Sequence, residues 1–161
     1  MGTSGFFGTH VEHRDYADWF FDYTFATTAA TIVSGSIAER TQITSYLVYS
    51  IAVVGWIYPF VAHWVWEGWL KANGYHDFAG SGVVHILGGS IALVACHFVG
   101  PRMGRWDDRG RPPTMPGHSV PFQSLGGFIL VLGFLAFNGA SEVSFVFKFI
   151  YNADRHSYFR K

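Results

Sequence analysis

Asp77-Phe-Ala-Gly-Ser-Gly-Val-Val-His85 decides how this chain is read: it opens an apolar, small-residue-rich segment that runs to about Val99 and sets one histidine inside it. Asp77 reads as the start of a helix, its carboxylate capping free N–H groups at the positive helix end. Gly80, Gly82, Gly88, Gly89, Ser90 and Ala92 keep the segment thin, which suits close approach to neighbouring helices in a bilayer. A polar side chain inside hydrocarbon costs roughly 2.5–3.5 kcal/mol on insertion scales, so it faces a bundle interior or a pathway. His85 is therefore either a satisfied core histidine of a capped helix or a pathway residue.

The rest of the chain fits a membrane setting. Of its 161 residues half are apolar, with 16 Phe, 6 Trp and 8 Tyr against 11 acidic and 11 basic residues. Charge sits in short patches, Glu39-Arg40 and the Arg102 to Arg111 segment among them, separated by apolar runs close to the roughly 20 residues a helical span needs. Net charge is zero and the basic cluster is interrupted by Asp107 and Asp108, so nucleic acid is not an expected partner. A lone cysteine, Cys96, rules out an internal disulfide and a thiolate-rich metal site, and no cofactor is expected. Gly2 is followed by Phe6 where a myristoylation pattern wants Ser or Thr, and no cleavable signal is recognised.

The expected fold class is all-α and polytopic, with about four transmembrane helices at Trp19–Ile37, Ser45–Val65, Phe78–Val99 and Val120–Ala140. Strand alternation is absent, and helices satisfy their own backbone hydrogen bonds in lipid. Pro59 falls inside the second span and is expected to kink it or be tolerated by neighbours. Counting arginine and lysine in the connections puts the loops at 38–44 and 100–119 on the cytoplasmic side. Phe25, Trp66 and Phe137-Asn138-Gly-Ala-Ser141 then share the outer face. Aromatic faces attract a small cation by about 0.5–2 kcal/mol, and a serine hydroxyl accepts from an N–H donor. An interfacial aromatic belt is the plainer account of any one of these rings. His63, His85 and His97 also admit a haem-binding redox reading, but His63 and His97 fall at opposite surfaces. Enzyme chemistry is not expected, because Asp18, Asp22, Glu39 and Asp77 lie at span ends with no paired carboxylate and no nucleophile–base motif.

Four blocks in order resemble the ammonium transporter family, which includes ammonium transporters, methylammonium permeases and Rhesus proteins. They are Phe21-Asp-Tyr-Thr-Phe25 continuing to Glu39-Arg40, Tyr58-Pro-Phe-Val-Ala-His-Trp-Val-Trp66, Asp77 to His85, and Ala136-Phe137-Asn138-Gly-Ala-Ser141. The resemblance covers roughly Tyr16 to Ser141. It implies ammonium/ammonia transport across the cell membrane, with Phe25, Trp66 and Ser141 as an outer recruitment site, Phe25 and Phe137 as a gate, His85 as the first pore histidine and Asp77 as structural support of the site. Asp22, Phe134 and His97 depart from the family pattern. Family members have about eleven spans in two inverted halves and assemble as homotrimers. By that resemblance residues 1–141 are a partial transporter domain, residues 142–161 a divergent tail, and the chain a fragment. A transport-inactive sensor or partner of a full-length transporter is the alternative.

Overall fold

The computed structural model describes residues 16–141, and all regular structure among them is helical. The chain divides into two compact units, residues 1–113 and 114–161.

In the first unit α1 spans Tyr16–Ile37, α2 Ile43–Ala52, α3 Tyr58–Trp66, α4 Trp69–Ala72 and α5 Leu87–Val99. A π-helical turn, Val53–Ile57, joins α2 to α3, and a second, Ser81–Ile86, leads into α5. The first turn has an evident cause two residues beyond it. Pro59 lacks an N–H, and in an unbroken α-helix its ring would press on the Gly55 carbonyl. Widening the preceding turn, so that Tyr58 N–H reaches back to the Val53 carbonyl, carries the helix past the proline.

The core of this unit is one face of α1. Phe25, Ala26, Ala29, Ala30, Val33 and Ile37 are buried, and they recur at the three-to-four-residue spacing of a single helical stripe. α1 packs chiefly on α5 and meets both π-helical turns, whose Val53, Val83 and Val84 are also buried. Contact is closest at Gly88, where a Cβ would stand 2.9 Å from both the Ala29 carbonyl oxygen and Ile32 Cβ. Only glycine lets the two backbones approach so far. Between lipid-embedded helices van der Waals contact of this kind replaces water exclusion as the packing force.

Three stretches are long and apolar enough to cross a membrane: Ile43–Ala72, Ser81–Val99 and Val120–Ser141. They match the second, third and fourth expected spans. The first, α1, has the length at 22 residues but is not among the three. Six Ser and Thr hydroxyls between Thr24 and Ser36 dilute its apolarity, and each bonds a carbonyl three or four residues back in its own helix. Those internal bonds let a polar helix sit against apolar neighbours without orphaned donors.

The second unit contributes α6, Val120–Ser141, with no buried residue and large apolar side chains exposed along its length. An apolar surface all round suits hydrocarbon. The expected tail at 142–161 lies outside the described residues.

Candidate functional site

Asp77 organises the site. Its carboxylate is buried, at 6 % exposure, and is saturated by backbone donors. Oδ1 accepts from Gly80 N at 2.7 Å and Ser81 N at 2.9 Å, with the Ser81 hydroxyl at 3.4 Å; Oδ2 accepts from Gly82 N at 2.8 Å and Val83 N at 2.9 Å. These four N–H groups open the helical segment that becomes α5, and they have no carbonyl of a preceding turn to bond. A carboxylate there satisfies them and complements the positive helix end. Bending the chain from Asp77 into that segment needs a left-handed residue, supplied by Gly80 at φ 81°. A side chain at Gly80 would also meet Phe25, whose Cε1 lies 3.2 Å from the Cβ position.

The cap holds an aromatic pair in place. Trp66 Nε1 donates to the Asp77 carbonyl at 3.1 Å, which fixes the indole at the end of α3 against the start of the capped segment. The Phe25 ring meets that indole edge-on, with centroids 5.8 Å apart and planes at 63°. Phe21, one helical turn earlier on α1, meets Phe25 with centroids 4.5 Å apart and planes tilted by 41°. Phe25 is covered, at 2 % exposure, whereas Trp66 is half-buried. Edge-to-face geometry is the favoured arrangement of ring quadrupoles.

His85 lies one turn beyond the cap and is half-buried. Its Nδ1 is 3.2 Å from the Gly80 carbonyl oxygen, which the His85 backbone N–H also reaches at 3.1 Å. A carbonyl has no proton to give, so Nδ1 carries the hydrogen in this arrangement. In the neutral ring Nε2 then keeps the lone pair. The π-helical turn makes this possible by bringing residues five apart into register.

The model of the Ammonium Transporter Family matches residues 1–153. The chain belongs to the ammonium transporter family. It is 48 % identical over 156 residues to ammonium transporter Amt2 of Archaeoglobus fulgidus, covering 89 % of this chain and 33 % of that protein. Against a putative ammonium transporter 1 of Caenorhabditis elegans it is 48 % identical over 157 residues, covering 89 % and 29 %. With ammonium transporter 1 member 2 of Oryza sativa subsp. japonica it shares 45 % over 159 residues, covering 86 % and 32 %. The chain thus spans about a third of the length of the curated relatives it matches, a fragment of them. No solved structure matches it significantly.

Of the residues expected in this family member's site, the structure brings together Phe25, Trp66, Asp77 and the stretch leading to His85. Phe137 and Ser141 lie on α6 in the second unit. There the Ser141 hydroxyl donates to the Phe137 carbonyl at 2.8 Å, and the Phe137 ring meets Phe134 at 6.3 Å. His63 is set apart beside Glu67 at 3.7 Å, and His97 is exposed with its ring against Phe98. Sequence reasoning missed Phe21, although its four-residue spacing from Phe25 on a helix was a readable signal. Arg40 was also missed. At the far end of the helix pair it donates to the carbonyls of Ser36 and Gly100, with Cys96 Sγ 3.4 Å away, while Glu39 pairs with Arg102. That clamp joins the ends of α1 and α5 at the end of the pair away from Phe25 and Trp66.

Proposed function

We propose that this chain carries the outer recruitment site and upper pore wall of an ammonium transporter of the cell membrane. The observation that supports it best is the coupling of the Phe25–Trp66 pair to the Asp77 carbonyl at the head of the segment bearing His85. In this reading Trp66 and Phe25 attract ammonium through their ring faces, His85 lines the path, and Asp77 keeps the entrance in shape without touching the ion. Ser141 as a hydrogen-bonding member of the recruitment site and Phe137 as Phe25's partner in the gate are the roles that the family resemblance assigns to α6.

The energetics favour a division of labour. Stripping a monovalent cation of water in a low-dielectric interior costs tens of kcal/mol, whereas aromatic faces return about 0.5–2 kcal/mol each. The recruitment site therefore selects the cation at the mouth, and neutral ammonia is the species that passes the narrow pore. A neutral imidazole with its hydrogen on Nδ1 accepts an N–H of ammonia at Nε2. The chain acts as a transporter rather than an enzyme. The complete protein works as a homotrimer, and these 161 residues alone lack part of the pore wall.

The test uses a completed chain, with transport measured per surface-exposed molecule across a range of ammonium concentrations. Trp66→Leu removes one aromatic face and is expected to weaken apparent affinity by up to about thirtyfold while maximal flux survives. His85→Ala is expected to change flux or its coupling to charge at saturating substrate. Unchanged transport in His85→Ala removes that residue from the path, and losses that track only the amount of folded protein overturn the site as a whole.

A further inference from the structure

The connection after α5 is built to show two arginines beside exposed apolar side chains. It leaves the membrane-spanning stretch Ser81–Val99 at Gly100, so it stands at the bilayer surface. Arg105 N–H closes a turn on the Arg102 carbonyl at 3.0 Å, and Gly110 N–H closes a second on the Asp107 carbonyl at 2.8 Å. Asp107 is consumed inside that second turn. Its Oδ1 accepts from Arg109 N at 2.9 Å and Arg111 N at 2.7 Å, and its Oδ2 from Arg111 Nε at 3.2 Å. Arg102 is paired with Glu39 and Arg111 with Asp107. Arg105 and Arg109 have no carboxylate partner among the described residues. The Arg105 guanidinium stands 5.5 Å from the Trp106 ring centre, with Trp106 54 % and Met103 98 % exposed.

We propose that this loop is a docking surface for anionic phospholipid headgroups, with Arg105 and Arg109 on phosphate oxygens and Trp106 and Met103 at the boundary of headgroups and acyl chains. Three features favour lipid over a soluble partner. The loop emerges directly from a span; tryptophan settles at headgroup level; and arginine matches phosphate oxygens with paired donors. Asp107 is spent on the loop's own backbone and on Arg111, and Asp108, the loop's other acid, forms no ion pair with Arg105 or Arg109 among the described residues, so the two arginines outweigh the one remaining carboxylate and the outward charge stays positive.

The full 161-residue chain in detergent is offered equimolar phosphatidylglycerol and phosphatidylcholine, and the retained lipids are counted by native mass spectrometry. The wild type is expected to retain phosphatidylglycerol preferentially. Each arginine near an anionic surface contributes about fivefold, so the preference falls by up to about 25-fold in R105Q/R109Q. Lys71→Gln, in the opposite loop, leaves it unchanged. An equal preference in wild type and R105Q/R109Q overturns the proposal, as does an equal loss in Lys71→Gln. Abolition of the preference by excess inorganic phosphate overturns it in favour of a free-anion site. A second measurement needs no arginine variant: in vesicles, the Trp106 part of the fluorescence, taken as wild type minus Trp106→Phe, is quenched more by brominated phosphatidylglycerol than by brominated phosphatidylcholine. Equal quenching by the two lipids counts against the proposal.

Discussion

Asp77→Asn is the sharpest test of how the site is held together, because it keeps size and shape and changes only charge and acceptor count. The wild-type carboxylate serves four backbone N–H groups, two on each oxygen. An asparagine has one oxygen, so whichever way its amide turns, one pair of N–H groups faces an NH2 that cannot accept. Two orphaned donors at about 1–3 kcal/mol each amount to roughly 2–6 kcal/mol. Val83 is fully buried, which pushes its share upward, and Ser81 is exposed, which lets water relieve its own. An ordinary exposed cap would behave differently, since Asn and Asp are nearly equal there. At about 2–4 °C per kcal/mol the midpoint of thermal unfolding in mild detergent is expected to fall by at least about 4 °C. The assay is loss of the monodisperse size-exclusion peak after graded heating. A midpoint within about 1 °C of wild type refutes the argument that burial and saturation of this carboxylate hold the segment.

Two further predictions follow from the packing and the loop. Gly88→Val is expected to force α1 and α5 apart, because even its Cβ meets the Ala29 carbonyl at 2.9 Å; overpacking of this kind costs about 1–3 kcal/mol or more, seen as reduced heat resistance that Gly89→Ala, with no atom near its Cβ position, does not share. The Arg111 backbone N–H, helped by Arg109 N–H and the Arg111 side chain, holds the Asp107 carboxyl below its ordinary value. A depressed carboxyl pKa stabilises the folded turn above the unfolded pKa, near about 3.9, and that contribution disappears as pH falls through the lower folded value. Cleavage within the Arg102 to Arg111 loop by an acid-tolerant protease should therefore stay constant from neutral pH to mild acid and rise only in strong acid, whereas Asp107→Asn should raise cleavage already at pH 7.

Most of the helical organisation was legible because a bilayer imposes one requirement on every span, an apolar run of fixed length. Val120–Ala140 became Val120–Ser141, and Phe78–Val99 became Ser81–Val99 with Asp77 as its cap. Where the expectation slipped, local composition hid a tertiary or backbone solution. The hydroxyl-rich face of α1 lowers its apolarity without cost, because its own carbonyls take up the hydroxyls. Pro59 signalled a disturbance but not its form, since a kink and a π-helical turn relieve the same clash.

Sequence alone determined the residue types of the site: an acid able to cap a helix, glycines that permit close approach, aromatic rings at span ends and a histidine within an apolar segment. Their order along four blocks was enough to mark the family. What only the tertiary structure decided is which of them meet. Phe25 and Trp66 are 41 residues apart in the chain, and their contact exists because Gly88 lets α1 lie against α5 while Trp66 is bonded to the Asp77 carbonyl. The approach of His85 Nδ1 to the Gly80 carbonyl was likewise beyond any one-dimensional reading, because only a π-helical turn brings residues five apart within reach.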